Sequence, residues 1–471
     1  MNIKDFGPCY DFSAPNKPAE LLPETLAQIR IEDDWFEGTA TVTLEFLPAP
    51  RIVAHGIFPA VPLEIAVSVA SDREWSIGKR HVRELHVGGK QFFGFVAGTA
   101  LGATPEVGSL AIDWELLYPW FPWSAPDDAE LSSLVFHVFY YGVPRCAGIR
   151  RSRELEHFNP YRAELRQYRP TGFCSTFENW RIAMNDTMSS KSALEWVERR
   201  GGFLLTHVAY IERTDGSTFT GREAVSLISA LELFLTFSKG SQCEPVCPVG
   251  FDRDGNRVWT IWSAPLQIAP GWEDWLQKNE DTDLLKDYSF PGFMSLWQDQ
   301  EWRMALPEVI DWYCDANDLS RRVESGIICA QTALERLAFE YCIRRRKLLT
   351  PDGFRRLSAA DQIRLLLGCL EIPNAIPESD RSWHPRRYDK LTQFIEKMPK
   401  SQKWVDAPHA LTEVRNSVIH PEKKRSGSTT IEEVYEDAWH LGVKLVKECI
   451  LALWGYNVYG EYPWEKEATE D

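Results

Sequence analysis

Ser320-Arg-Arg-Val-Glu-Ser-Gly-Ile-Ile-Cys-Ala-Gln-Thr-Ala-Leu-Glu-Arg-Leu-Ala-Phe-Glu-Tyr-Cys-Ile-Arg-Arg-Arg346 is the stretch on which the architecture turns. Ile327, Ile328, Ala330, Ala333, Leu334, Leu337, Ala338 and Tyr341 recur at three- and four-residue spacing, which predicts one long amphipathic helix. Downstream, Ala359 to Leu370, Tyr388 to Met398, Pro408 to Ile419 and Ile431 to Trp454 repeat that period. Turn-forming segments such as Thr350-Pro-Asp-Gly and Arg425-Ser-Gly-Ser-Thr-Thr separate them. Residues 319–456 are therefore expected to form an all-α bundle, with a short acidic tail over 457–471. Upstream, Phe293 to Asn317 is a further amphipathic run, taken as a connecting helix over 291–318.

Before that helix the pattern changes. Ala40-Thr-Val-Thr-Leu-Glu-Phe alternates with period two, and Ile52 to Phe58, Leu63 to Val69 and Leu134 to Tyr141 are apolar, β-branched or aromatic runs bounded by Pro, Gly and Asp. Gly202 to Ile211 continues the theme, and Thr220 to Phe234 carries apolar residues at helical spacing. Residues 1–290 are expected to be β-rich and antiparallel, with a break between subdomains near 150–200. The fold class is thus α+β multidomain: a β-rich N-terminal region followed by an all-α C-terminal bundle.

Charge divides along the same line. The chain of 471 residues carries a formal net charge of −16. Residues 1–318 hold 28 basic and 45 acidic side chains, whereas residues 319–456 hold 23 and 18. A strongly acidic protein is no general nucleic-acid coat, because its field repels phosphate. A basic unit joined to an acidic one suggests two separate tasks.

Other classes find little support. Cys243 and Cys247 form a C-x3-C with no second ligand pair nearby, so zinc is not expected. Asp252-Arg-Asp-Gly-Asn resembles a calcium loop, but its Gly comes two places early and position twelve is Ser263, so it reads as a hairpin turn. No cofactor or metal is expected. No stretch approaches the ~20 apolar residues of a membrane span, and the N-terminus lacks a secretory apolar core, which points to the cytoplasm.

The chemistry concentrates in Glu413-Val-Arg-Asn-Ser-Val-Ile-His-Pro421. At about 100° per residue, Arg415, Asn416 and His420 share one polar arc of a helix. Val414, Val418 and Leu411 take the other side, and Pro421 ends the helix at His420. A guanidinium pairs with phosphate oxygens and stabilises a charged phosphorane. An imidazole titrates near neutrality and moves a proton to or from a ribose 2′-hydroxyl or leaving 5′-oxygen. Asn416 can orient either partner. Attack by the RNA's own 2′-hydroxyl requires no metal.

Arg415-Asn-Ser-Val-Ile-His420 resembles the R-x4-6-H motif of the HEPN superfamily of RNases, and it stands on a late helix of a C-terminal bundle, as in that family. The chain as a whole is similar to ApeA-type anti-phage HEPN proteins, with a β-rich region before the bundle. The resemblance implies a metal-independent endoribonuclease active in abortive infection, with tRNA a candidate substrate. It further implies a homodimer, or a higher oligomer, in which two Arg/His motifs meet, and a phage-derived trigger acting on the N-terminal region. It also makes Glu335 a candidate to support the site. Arg344, Arg345, Arg346, Lys347, Arg386, Arg387, Lys423, Lys424 and Arg425 are candidates for an RNA-contacting rim. The rival reading is a non-catalytic module in which the bundle dimerises or binds a ligand and the N-terminal region recognises a partner.

Overall fold

The computed structural model describes residues 7–71, 82–103, 108–117, 120–139, 173–187, 193, 196, 202–265, 282–377, 388–396, 406–419 and 431–456. The chain divides into two compact units: 1–174 with 179–229 and 243–267, and 175–178 with 230–242 and 268–471. The architecture is α+β and multidomain, β-rich first and helical last.

The first unit is built on strands. β1 (Ala19–Ile31), β2 (Asp34–Glu45), β3 (Arg51–Phe58), helix α1 (Leu63–Ser71), β4 (Val82–Val87), β5 (Lys90–Phe92), β6 (Gly94–Ala103) and β7 (Gly108–Leu116) come first. Their seven strands form a sheet in the order β5-β4-β1-β2-β3-β7-β6, and every pairing is antiparallel. Next come β8 (Trp120–Ser124), β9 (Glu130–Leu131), β10 (Ser133–Phe139), β11 (Phe173–Phe177), β12 (Trp180–Asp186), β13 (Leu205–Arg213), β14 (Phe219–Thr220), α2 (Gly221–Lys239), β15 (Val246–Phe251) and β16 (Arg257–Ser263). A second seven-stranded sheet has the order β11-β12-β13-β10-β15-β16-β8, while β9 and β14 form a small ribbon. β1 alternates between buried and more exposed residues at both its ends, whereas every residue of β10, central in the second sheet, is buried.

Aromatic rings pack between the two sheets. Phe46 lies 5.3 Å from Phe139 and Phe92 lies 4.8 Å from Phe121, while within the second sheet Trp123 of β8 stacks on Trp262 of β16 at 4.4 Å. Much of the N-terminal aromatic content is thus core. His137 belongs to this core. Its Nε2 accepts the Cys9 N–H at 2.9 Å, its Nδ1 donates to the Val246 carbonyl at 2.9 Å, and burial pushes its pKa down to about 4. Asp252 to Asn256 is a turn: the Asp252 carboxylate accepts the backbone N–H groups of Asp254 and Asn256.

The second unit holds α3 (Thr282–Gln298), α4 (Gln300–Asn317), α5 (Val323–Ala338), a π-helical turn (Phe339–Arg345), α6 (Pro351–Arg355), α7 (Ala359–Cys369), α8 (Asp389–Glu396), α9 (Ala407–Ile419) and α10 (Ile431–Leu453). The second half of α2 also belongs to it, through Phe234 and Phe237, which pack on Trp454. Among the described residues no helix is long and apolar enough to cross a membrane.

Gly442 and Gly292 stand at close helix approaches. A Cβ on Gly442 of α10 would come 3.0 Å from Ala330 of α5 and 3.3 Å from Leu411 of α9, so these three helices meet there. A Cβ on Gly292 of α3 would sit 1.8 Å from the Trp454 carbonyl oxygen, a backbone atom with no flexible tail to move. Gly292→Ala is therefore expected to cost about 2–3 kcal/mol, as overpacking does. It should lower the urea midpoint of the helical signal; an unchanged midpoint would show that α3 can shift freely.

Three sequence expectations need correction. Leu63 to Val69 is a helix, not a strand. Strand alternation would bury Leu63 and Val67 together, yet they are 50% and 45% exposed while Ala66 and Val69 are buried, and the Pro62 carbonyl accepts the Ala66 N–H to begin the turn. The connecting helix over 291–318 is two helices, because the Asp299 side chain accepts the N–H of Glu301 and of Trp302 and starts α4 afresh. The long run over 320–346 is α-helical only to Ala338. It then widens into the π turn, in which the Arg346 N–H reaches back five residues to the Tyr341 carbonyl.

Candidate functional site

α9 is positioned from its first residue. The Asp406 carboxylate accepts the His409 N–H at 3.0 Å, capping the helix, and Pro408 suits the first turn. The same carboxylate takes Arg364 of α7 in a two-pronged pair, Nε at 2.7 Å and Nη2 at 3.0 Å. Arg364 also pairs with Asp361. The Ala407 N–H donates to the Asn374 carbonyl at 2.8 Å. Ala407, Ala410, Leu411 and Val414 are buried, which orients the helix about its own axis.

The opposite arc of α9 carries the predicted residues. Arg415 and Asn416 are both half-buried, and Arg415 Nη1 approaches Asn416 Oδ1 at 3.4 Å, the outer edge of hydrogen bonding. Among the described residues, Arg415 has no carboxylate partner. Ile419, between them in angle and one turn on, is 40% exposed, so this arc is open toward its end. His420, Lys423, Lys424, Arg425, Arg386 and Arg387 lie outside the described residues.

Glu335 is half-buried on α5 and accepts the Gln331 side-chain N–H at 2.6 Å. It shares no hydrogen bond or ion pair with Arg415 or Asn416 among the described residues. Gln331 is 1% exposed, and among the described residues its Oε1 has no partner. A lone amide in an apolar helix pattern gives little signal in sequence, and sequence reasoning misses Gln331 for that reason. It also misses Asp406, although Asp-Ala-Pro ahead of an apolar run is a readable helix start. His409 is half-buried and sits in the first turn, as a helix-start residue.

The predicted basic rim is not uniform. Arg344 is held by Glu340, whose two oxygens both lie 3.0 Å from Nη1 and which also receives Arg336 at 3.1 Å. Arg345, Arg346 and Lys347 are exposed. Among the described residues, no group of three or more His, Cys, Asp or Glu side chains is placed to hold a metal ion.

Two family models match the chain: the YopA central domain over residues 127–271 and the YopA C-terminal domain over residues 299–464. Arg415, Asn416, Glu335 and the 344–347 run fall within the second match. The SPbeta prophage-derived uncharacterized protein YopA of Bacillus subtilis (strain 168) is 28% identical over 287 residues, 60% of this chain and 60% of that protein. The alignment thus spans less than two thirds of the relative's length. No solved structure matches the chain.

Proposed function

We propose that this protein is a metal-independent endoribonuclease of a phage-conflict system, with Arg415, Asn416 and His420 as the residues that act on RNA. One observation carries the reading. A half-buried guanidinium on α9 has no carboxylate to neutralise it among the described residues, so its donor fork is open to an anion. Phosphate is the anion whose geometry the guanidinium fork fits. The motif spacing and the basic balance of the bundle agree with this. The prophage origin of the relative is compatible with a role in phage conflict.

In the proposed reaction His420 takes the proton of the ribose 2′-hydroxyl, and the resulting oxygen attacks the adjacent phosphorus. Arg415 stabilises the pentacoordinate phosphorane, and Asn416 holds the guanidinium toward it. The protonated His420 returns that proton to the leaving 5′-oxygen as the P–O5′ bond breaks, so the products are a 2′,3′-cyclic phosphate and a 5′-hydroxyl. Two bundles pair so that two motifs face one cleft, and the N-terminal region answers a phage-derived trigger. The site of action is the cytoplasm, where tRNA and other RNA substrates are abundant.

The test is purified full-length protein on an RNA and on the DNA of the same sequence, with and without EDTA. RNA should be cut to the stated ends in both buffers, and DNA, lacking the attacking hydroxyl, should persist. Cleavage of both polymers, or loss of activity in EDTA, would overturn the mechanism. RNA binding without turnover would instead favour the non-catalytic module.

A further inference from the structure

Arg344-Arg-Arg-Lys347 is the only run of four consecutive cations in the chain, and it lies where the π turn ends. Its first member is already neutralised by the buried Glu340 carboxylate. The next three project from an exposed corner. There the chain reverses, and α6 packs Phe354 against Phe339 of the π turn with ring centres 5.8 Å apart. Arg356, exposed, follows at the end of α6 two residues beyond Phe354. Asp352 is the sole acidic residue between 345 and 356, and Arg355 occupies it at 3.1 Å. Among the described residues, Arg345, Arg346, Lys347 and Arg356 therefore have no carboxylate partner.

Backbone geometry adds an independent sign. Lys347 has φ +52°, in the left-handed region, and the following Leu348 N–H closes onto the Cys342 carbonyl at 2.9 Å. This is the helix-ending position that glycine normally fills, because a side chain there is strained. A cation is kept where a glycine would fold more easily. A single cation would satisfy the negative end of the helix dipole. Four without a carboxylate exceed that need.

We infer that this corner, Arg345, Arg346, Lys347 and Arg356, is the surface that grips the phosphate backbone of the RNA, an inference that rests on the nuclease reading. In a chain of net charge −16, a polyanion needs a local positive field to approach at all. Three guanidinium planes within twelve residues offer paired contacts to successive phosphates. Arg344 is excluded from the surface, and Arg356, distant in the run, is included.

Binding of a labelled 2′-O-methyl RNA 20-mer to the full-length chain tests this without cleavage, since the probe lacks the attacking hydroxyl. Replacing Arg345, Arg346, Lys347 and Arg356 together by Gln should weaken binding about tenfold or more. It should also flatten the slope of log affinity on log salt by about 2–3, roughly 0.7 for each single-strand phosphate that no longer meets a cation. Arg344→Gln should leave binding within about twofold of wild type. Lys347→Gly should raise the melting midpoint by about 1–3 °C and yet weaken binding. Wild-type affinity and slope in the fourfold variant would overturn the assignment, as would a probe that never binds. A polyglutamate peptide that binds this corner in place of the RNA would assign it to an acidic protein partner instead. If wild type binds the probe through this corner but leaves unmodified RNA uncut, the surface stands and the nuclease reading falls.

Discussion

Arg415→Ala should lower RNA cleavage by about 10²–10³-fold or more, the usual cost of removing a preorganised donor to a developing oxyanion. The change acts on the transition state, so kcat should fall while RNA affinity, carried elsewhere on the bundle, changes little. The fold should survive. Among the described residues Arg415 makes one long polar contact, to Asn416 at 3.4 Å, and it lies on the outward arc of α9, so the melting midpoint should stay within about 2 °C. Asn416→Ala should cost less, about tenfold, because a bond at the limit of its length orients weakly. Cleavage kinetics on a defined RNA, with circular dichroism for folding, would check both. Undiminished turnover in Arg415→Ala would reduce the pair to an ordinary helix surface.

Asp406→Ala should be the most damaging change to the scaffold of that site. The carboxylate caps α9 through the His409 N–H and receives both prongs of Arg364. A lost cap costs about 1 kcal/mol. Breaking a charge pair as enclosed as this one, with Asp406 only 7% exposed, costs a further ~2–3 kcal/mol, less than the ~3–5 kcal/mol of a fully buried pair because Arg364 keeps Asp361. A total of about 3–4 kcal/mol is expected. Asp406→Asn should restore the cap and recover about 1 kcal/mol of it. Because the chain has two units, amide exchange in α9 is a better measure than one global midpoint. Exchange in α9 should accelerate strongly in Asp406→Ala. Protection equal to wild type would mean that burial of Leu411 and Val414 holds the helix without its cap.

Helices α7 to α10 lie close to their sequence expectations, because apolar spacing and end signals act within a few residues. The common arc of Arg415 and Asn416 follows from helical angle alone. Where the reading failed, a tertiary term outweighed a local one. Leu63 to Val69 is rich in strand-favouring residues, yet burial of Ala66 and Val69 on one side makes it a helix. The run to Arg346 has a continuous helical period, but Glu340, buried between Arg336 and Arg344, accompanies a switch to π geometry that periodicity does not register.

Spacing along the chain was enough to declare a strand-built first part, a helical second part, and a guanidinium and amide side by side on a late helix. Which cations are free was settled by folding. Arg344 and Arg345 are neighbours of identical chemistry, yet Glu340 meets only the first. The anchor of α9 likewise joins Arg364 to Asp406 across 42 residues. Periodicity is written into bonds that span one turn, whereas a charge finds its partner only after distant helices have packed and excluded the water that would otherwise screen it.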